Sequence, residues 1–136
     1  MTTYIHNMKP GDHLEVKGPI PKLPYKANMK KEIGMIAGGT GLTPMLQVVH
    51  DIVNNPQDKT KVTFIFANIA KEDILLKDHL DELAKNHSNF KVYYVLEKPP
   101  QGWNQGTGFV SAEHIKQNMP KPSDDSLVLV CGPPGM

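Results

Sequence analysis

The strongest constraint in this sequence is a repeated alternation between short apolar runs and segments of helical period. Ile33–Ala37, Val62–Ala67, Phe90–Leu96 and Leu127–Cys131 are nearly continuous apolar runs. Such runs mark strands buried on both faces, as in a parallel sheet. Between the first two, Met45, Leu46, Val48, Val49, Ile52 and Val53 recur at helical spacing until Asn55-Pro56 stops them. Between the second and third, Leu75, Leu76, Leu80, Leu83 and Ala84 form one face of a helix. Lys77, Asp78, Asp81, Glu82 and Lys85 form the other. Before the fourth run, a Gly/Pro/Gln loop extends from Pro99 to Gly108, and Ser111 suits the N-cap of a short helix through Met119. Strands alternating with helices in this way predict a doubly wound α/β domain with a parallel sheet, beginning at about residue 31.

What precedes residue 31 has a different rhythm. Met1 to Met8 reads as a short helix with Tyr4, Ile5 and Met8 on one face, and Asp12–Gly18 alternates like a half-buried strand. Pro19, Pro21 and Pro24 then break regular structure and predict a domain boundary. The expected organisation is a remnant of another domain over residues 1–20, a connector over 21–30 and the α/β domain over 31–136. The bulk chemistry narrows the class further. With 39% hydrophobic and 21% charged residues the chain is an ordinary globular one, and its formal net charge of +1 offers nothing to nucleic acid or an anionic membrane. No apolar stretch reaches the roughly 18 residues of a membrane span. Met1–His6 lacks the order of a signal peptide, and the single cysteine, Cys131, rules out an internal disulfide framework.

The sharpest local feature is Ala37-Gly38-Gly39-Thr40-Gly41-Leu42-Thr43-Pro44, between a predicted strand and a predicted helix. Open α/β sheets bind ligands there. Glycines permit positive φ and close backbone approach, Thr43 suits the helix N-cap, and Pro44 suits the first turn. Free N–H groups and the positive end of the helix dipole favour a diphosphate. The loop is neither GxGxxG nor a Walker A sequence, so its spacing alone fits an anion site or a plain strand-to-helix turn.

Two motifs at this separation identify a family. Gly34–Gln47 and Val130–Met136 resemble the signatures of NADH-cytochrome b5 reductases, within the ferredoxin-reductase-like flavoproteins. Phe66-Ala67-Asn68 and Asp73–Lys77 are similar too, so the likeness covers nearly the whole chain. It implies an enzyme that takes hydride from NADH to FAD and passes single electrons to cytochrome b5 or a similar haem protein. Carried over by position, Gly38, Gly39, Thr40, Gly41, Thr43 and Pro44 would line the dinucleotide. Cys131, Gly132, Pro133 and Pro134 would border the nicotinamide, with Cys131 a positioning residue at the reacting centre. Met1 and Thr2 resemble a segment whose helix start receives the flavin diphosphate, and residues 12–18 would be the last strand of the FAD barrel. Glu97, after the third strand, would accept hydrogen bonds from the adenosine ribose and repel the extra phosphate of NADPH, although the neighbouring Lys98 would tolerate one. The family's Arg-x-Tyr-Ser/Thr barrel motif is not in this chain, and a last helix and strand are expected after Met136. Most of the FAD would therefore be held outside it. The resemblance further implies a parent protein at the mitochondrial outer membrane or the endoplasmic reticulum, anchored by a segment outside this chain. The details Gly18–Lys22 and Cys131–Met136 resemble the mitochondrial branch.

Other features support less. The six histidines show no metal-ligand spacing, no metal site is expected, and no nucleophile elbow is present. Trp103 fits either a cover over the adenine or simple packing. Lys26, Lys30 and Lys31 fit either a solvated connector or a patch that meets an acidic haem protein. Two further functional readings stay open: a non-catalytic nucleotide-binding module, and a related flavoreductase with another acceptor.

Overall fold

The computed structural model describes residues 2–18, 20 and 23–136. It contains α1 (Thr2–Asn7), β1 (Glu32–Gly38), α2 (Leu42–Val53), β2 (Lys61–Asn68), α3 (Lys77–Asn86), β3 (Phe90–Leu96), β4 (Gly106–Thr107), α4 (Ala112–Asn118) and β5 (Ser126–Cys131). The five strands form one sheet in the order β4-β3-β2-β1-β5, and every pairing is parallel. The chain therefore winds outward from β1 to β4 in one direction and returns past β1 to lay β5 on its other side.

Strands β1 to β3 form where the apolar runs have two faces to bury; Leu127–Cys131 also forms a strand, but at the sheet edge it buries one face only and leaves Val128 and Val130 exposed. Along β1 every residue from Ile33 to Gly38 is buried. One sheet face sends Ile33, Met35, Phe64, Phe66 and Tyr94 against Met45, Val49 and Ile52 of α2 and Leu80 of α3. Phe64 and Phe66 are fully buried and stack at 5.3 Å. Each such burial contributes about 1.5–3 kcal/mol. The opposite face collects Ile36, Ile65 and Val95 with Val110 and Met119, the latter capping the end of α4. That two-sided arrangement is the doubly wound α/β fold predicted from the sequence. Helix α3 is pinned to β3 by the Tyr94 hydroxyl, which donates to Asp81 at 2.7 Å. Burial and then Asp81 hold that phenol well above the usual tyrosine range.

Three local expectations fail, each for a visible reason. Asp12–Gly18 forms no strand, and its Leu14 and Val16 are exposed. A strand satisfies its backbone only by pairing, and no described strand lies beside this segment. Leu75 and Leu76 precede α3 and are exposed; Leu76 adopts a left-handed φ of 53°. The helix starts at Lys77, and Leu80, Leu83 and Ala84 carry its inward face. Thr43 is not an N-cap. A 3-10 turn at Gly39–Gly41 starts the helix early, Gly41 takes the cap position, and the Thr43 hydroxyl donates back to Thr40 O at 3.2 Å. Pro44 does lie in the first turn. At α4 the reading holds: Ser111 Oγ accepts from His114 N at 3.2 Å.

Candidate dinucleotide site

The strand order reverses direction between β1 and β5, and the carboxyl ends of these two neighbours carry the two glycine-containing loops. In an open α/β sheet this is the crevice where ligands bind. The register pairs Ala37 with Cys131, so the turn Gly38–Gly41 and the turn after Cys131 emerge side by side. Their contact explains why side chains are excluded. A Cβ on Gly41 would lie 2.0 Å from the Cys131 carbonyl oxygen, and one on Gly38 would lie 2.9 Å from Pro133 Cδ. Gly39 differs: nothing stands within 4 Å of its missing Cβ, but its φ of 53° needs glycine.

The turn offers donors rather than side chains. Gly41 supplies no side-chain cap for the twelve-residue helix α2; the Leu42 N–H turns back to Gly39 O and Thr40 O, and Pro44 carries no N–H, which leaves the Thr43 N–H at the helix start. Thr40, Thr43 and Pro44 are exposed there. This is the geometry that receives an anion at a helix start. Cys131 is a half-buried free thiol packed against the main core, while Gly132 and Pro133 are exposed.

Two strands away, Glu97 follows the carboxyl end of β3. It is exposed, and its N–H is held by Asn68 O at 3.1 Å. Asn68 is the functional candidate that the motif reading passed over. It stands one residue beyond Ala67, the register partner of Gly38, and its Nδ2 is buried with no hydrogen-bond partner among the described residues. Buried amide nitrogens are rarely left so. The signal was present in the Phe66-Ala67-Asn68 likeness, but nothing in a sequence says that an amide will be orphaned. Glycines that a Cβ would fill, a helix start without a side-chain cap and an unpartnered amide at one sheet end fit a dinucleotide.

Other expectations resolve differently. Trp103 donates through Nε1 to Gly106 O at 2.9 Å and packs on the core, which makes it an anchor of its loop. Met1 lies outside the described residues, and Thr2 opens α1, whose Tyr4 and Ile5 are exposed. Lys30 and Lys31 turn to Asp124 O and the Asp125 carboxylate. With Lys59 and Lys61 they line an open basic cavity of about 450 Å³ at the amino ends of β1, β2 and β5. This cavity is at the wrong end of the sheet for a switch-point ligand.

Residues 35–136 match the oxidoreductase NAD-binding domain family, and the chain belongs to it. Among individual proteins, it is 59% identical over 136 residues to NADH-cytochrome b5 reductase 1 of Dictyostelium discoideum. The alignment takes in all of this chain and 48% of that protein, so the chain spans about half of the relative's length. Of solved structures, the cytochrome b5 reductase domain of Ulva prolifera nitrate reductase superposes with a TM-score of 0.93 at 35% identity. That match covers 98% of this chain and 55% of the other. The CS-b5R domains of human Ncb5or, in the NAD+ form, give a TM-score of 0.84 at 25% identity, covering 98% and 39%.

Proposed function

We propose that this chain is the NADH-binding part of an FAD-dependent oxidoreductase that moves hydride from NADH to FAD and then single electrons to cytochrome b5. The observation that carries the reading is the junction of the Gly38–Gly41 turn with the Cys131–Pro133 turn at the switch crevice. Membership of the NAD-binding family and the names of the relatives support it. On this reading residues 31–136 are the NADH-binding domain, 21–30 the connector, and 1–20 the end of the FAD domain.

NADH, when bound, supplies the hydride; the chain binds and orients it. The Gly39–Gly41 turn and the positive end of α2 hold the diphosphate, with Thr40 and Thr43 beside them. Gly38, Gly41 and Gly132 keep the floor of the crevice free of side chains. Cys131 is a positioning residue: small and polarizable, it lets the nicotinamide lie close to the flavin, where orientation lowers the barrier. The Asn68 amide and the Glu97 carboxylate serve the adenosine side. Glu97 accepts from the ribose hydroxyls and disfavours the added phosphate of NADPH by about 1 kcal/mol at this exposure.

The acceptor docks on the flavin side rather than on Lys30 and Lys31. Those lysines precede β1, whose seven residues span roughly 20 Å before the crevice begins. The likeness to a nitrate reductase domain favours a second reading, the same hydride chemistry feeding another acceptor. No helix among the described residues is long and apolar enough to cross a membrane. We place the parent protein at the mitochondrial outer membrane or endoplasmic reticulum, held by an anchor outside this chain. The flavin-containing parent should reduce ferricyanide and cytochrome b5 with NADH. Ferricyanide reduction without cytochrome b5 reduction would favour the second reading, and a flavin-free parent would sink both.

A further inference from the structure

His50 and His79 are 29 residues apart in sequence and meet between α2 and α3, with their Nε2 atoms 3.0 Å apart. The ring centroids are 5.3 Å apart and the planes stand at 83°. Both side chains are half-buried. Their positions are fixed by the core: Val49 and Ile52 beside His50, and Leu80 beside His79, are all buried in the main cluster. The facing of the two imidazoles is therefore imposed by how the helices seat on the sheet. Among the described residues, each Nε2 has the other as its partner and no carboxylate shares the contact.

We propose that this pair binds one divalent cation of the zinc and nickel class, with solvent completing the coordination. Imidazole nitrogen is a preferred donor for such ions, whereas magnesium and calcium take oxygen. Metal–nitrogen bonds of about 2.0–2.1 Å set two nitrogens on a tetrahedral ion roughly 3.3 Å apart. The rings need to separate by a few tenths of an ångström and pivot so that both lone pairs converge. Half-buried side chains at a helix–helix groove have that freedom. No group of three or more His, Cys, Asp or Glu forms among the described residues, so the protein supplies two ligands and the ion remains exchangeable. The site lies in the second half of α2, several residues beyond Thr43 and Pro44, and does not depend on the dinucleotide reading.

Because the two nitrogens come from different helices and are held together only by the fold, the ion binds the folded chain more tightly than the unfolded one, so binding raises the melting temperature. The test is thermal unfolding of the chain in chelator, in Zn2+, in Ni2+ and in Mg2+. The expected result is a rise of several degrees with Zn2+ or Ni2+ and none with Mg2+. The rise should vanish in His50→Gln and in His79→Gln and persist in the exposed-site control His13→Gln. Nitrogen NMR of the unsubstituted chain gives a readout that needs no variant: Zn2+ should shift Nε2 of His50 and His79 together. No stabilisation, stabilisation that survives both substitutions, or shifts at other histidines alone would each overturn the site.

Discussion

The two ends of the sheet treat their polar groups in opposite ways. At the amino end, the buried polar side chains among the described residues are paired. The Tyr25 hydroxyl donates to Asp58 at 2.5 Å, Asp58 also accepts from Thr60 N at 3.0 Å, and the Thr60 hydroxyl donates to Lys30 O at 3.0 Å. This network fastens the connector to the loop between α2 and β2. At the carboxyl end, the start of α2 lacks a side-chain cap, Asn68 Nδ2 has no partner among the described residues, and glycines stand where a Cβ would collide. A fold that satisfies one end fully and leaves the other open has placed structure at the first and a ligand at the second.

Substitutions at the two ends should therefore separate stability from binding. The largest effect is expected for Gly41→Val, whose Cβ would meet the Cys131 carbonyl. It should lower stability by at least about 2 kcal/mol and abolish measurable NADH binding, read by calorimetry on whatever fraction remains folded. Tyr25→Phe at the other end should cost about 1–2 kcal/mol in denaturant unfolding, since a buried carboxylate loses a donor, while NADH affinity stays unchanged. Asn68→Ala should do the reverse, leaving stability within about 0.5 kcal/mol and weakening NADH roughly fivefold to tenfold. The smallest change is expected for Glu97→Gln, which should narrow the preference for NADH over NADPH by about 1 kcal/mol or less at this exposed position.

The same network gives the amino end a pH signature. Burial pushes the Asp58 carboxyl up, but the hydrogen bonds from Tyr25 and Thr60 outweigh it and hold it below its ordinary value of 3.8. A depressed carboxyl contributes stability that is complete above the unfolded value and is lost as pH falls through the folded one. Burial first, and then Asp58, push the Tyr25 phenol from 10.0 to about 12. The unfolded chain then releases that proton first, so stability falls as pH rises from about 10 toward 12. Tyr25→Phe should flatten the alkaline limb and shrink the acid one in unfolding followed against pH.

Strands β1 to β3 were legible in the sequence because each is buried on both faces and reads as an apolar run; β5 reads the same way although Val128 and Val130 are exposed, and β4 lay within the expected Pro99–Gly108 loop. The glycine turns were legible because close backbone approach admits no other residue. What failed depended on contacts that periodicity does not carry. Leu75 and Leu76 fit the helical spacing of Leu80 and Leu83, yet a left-handed turn at Leu76 leaves both outside the helix. Asp12–Gly18 alternates like a strand but has no described neighbour to pair with. Thr43 looked like a cap because the 3-10 turn that displaces it is a backbone event. Asn68, and the meeting of His50 with His79, exist only once β2, α2 and α3 have been brought together.

On the proposed reading, the open end of this sheet is an NADH site. Calorimetric titration of the folded chain with NADH, and then with NADPH, tests it most directly. One saturable NADH site is expected, with NADPH weaker and Asn68→Ala weaker than the unsubstituted chain. A folded chain that binds neither nucleotide, or one whose affinity is lowered by Tyr25→Phe and indifferent to Asn68→Ala, would contradict it.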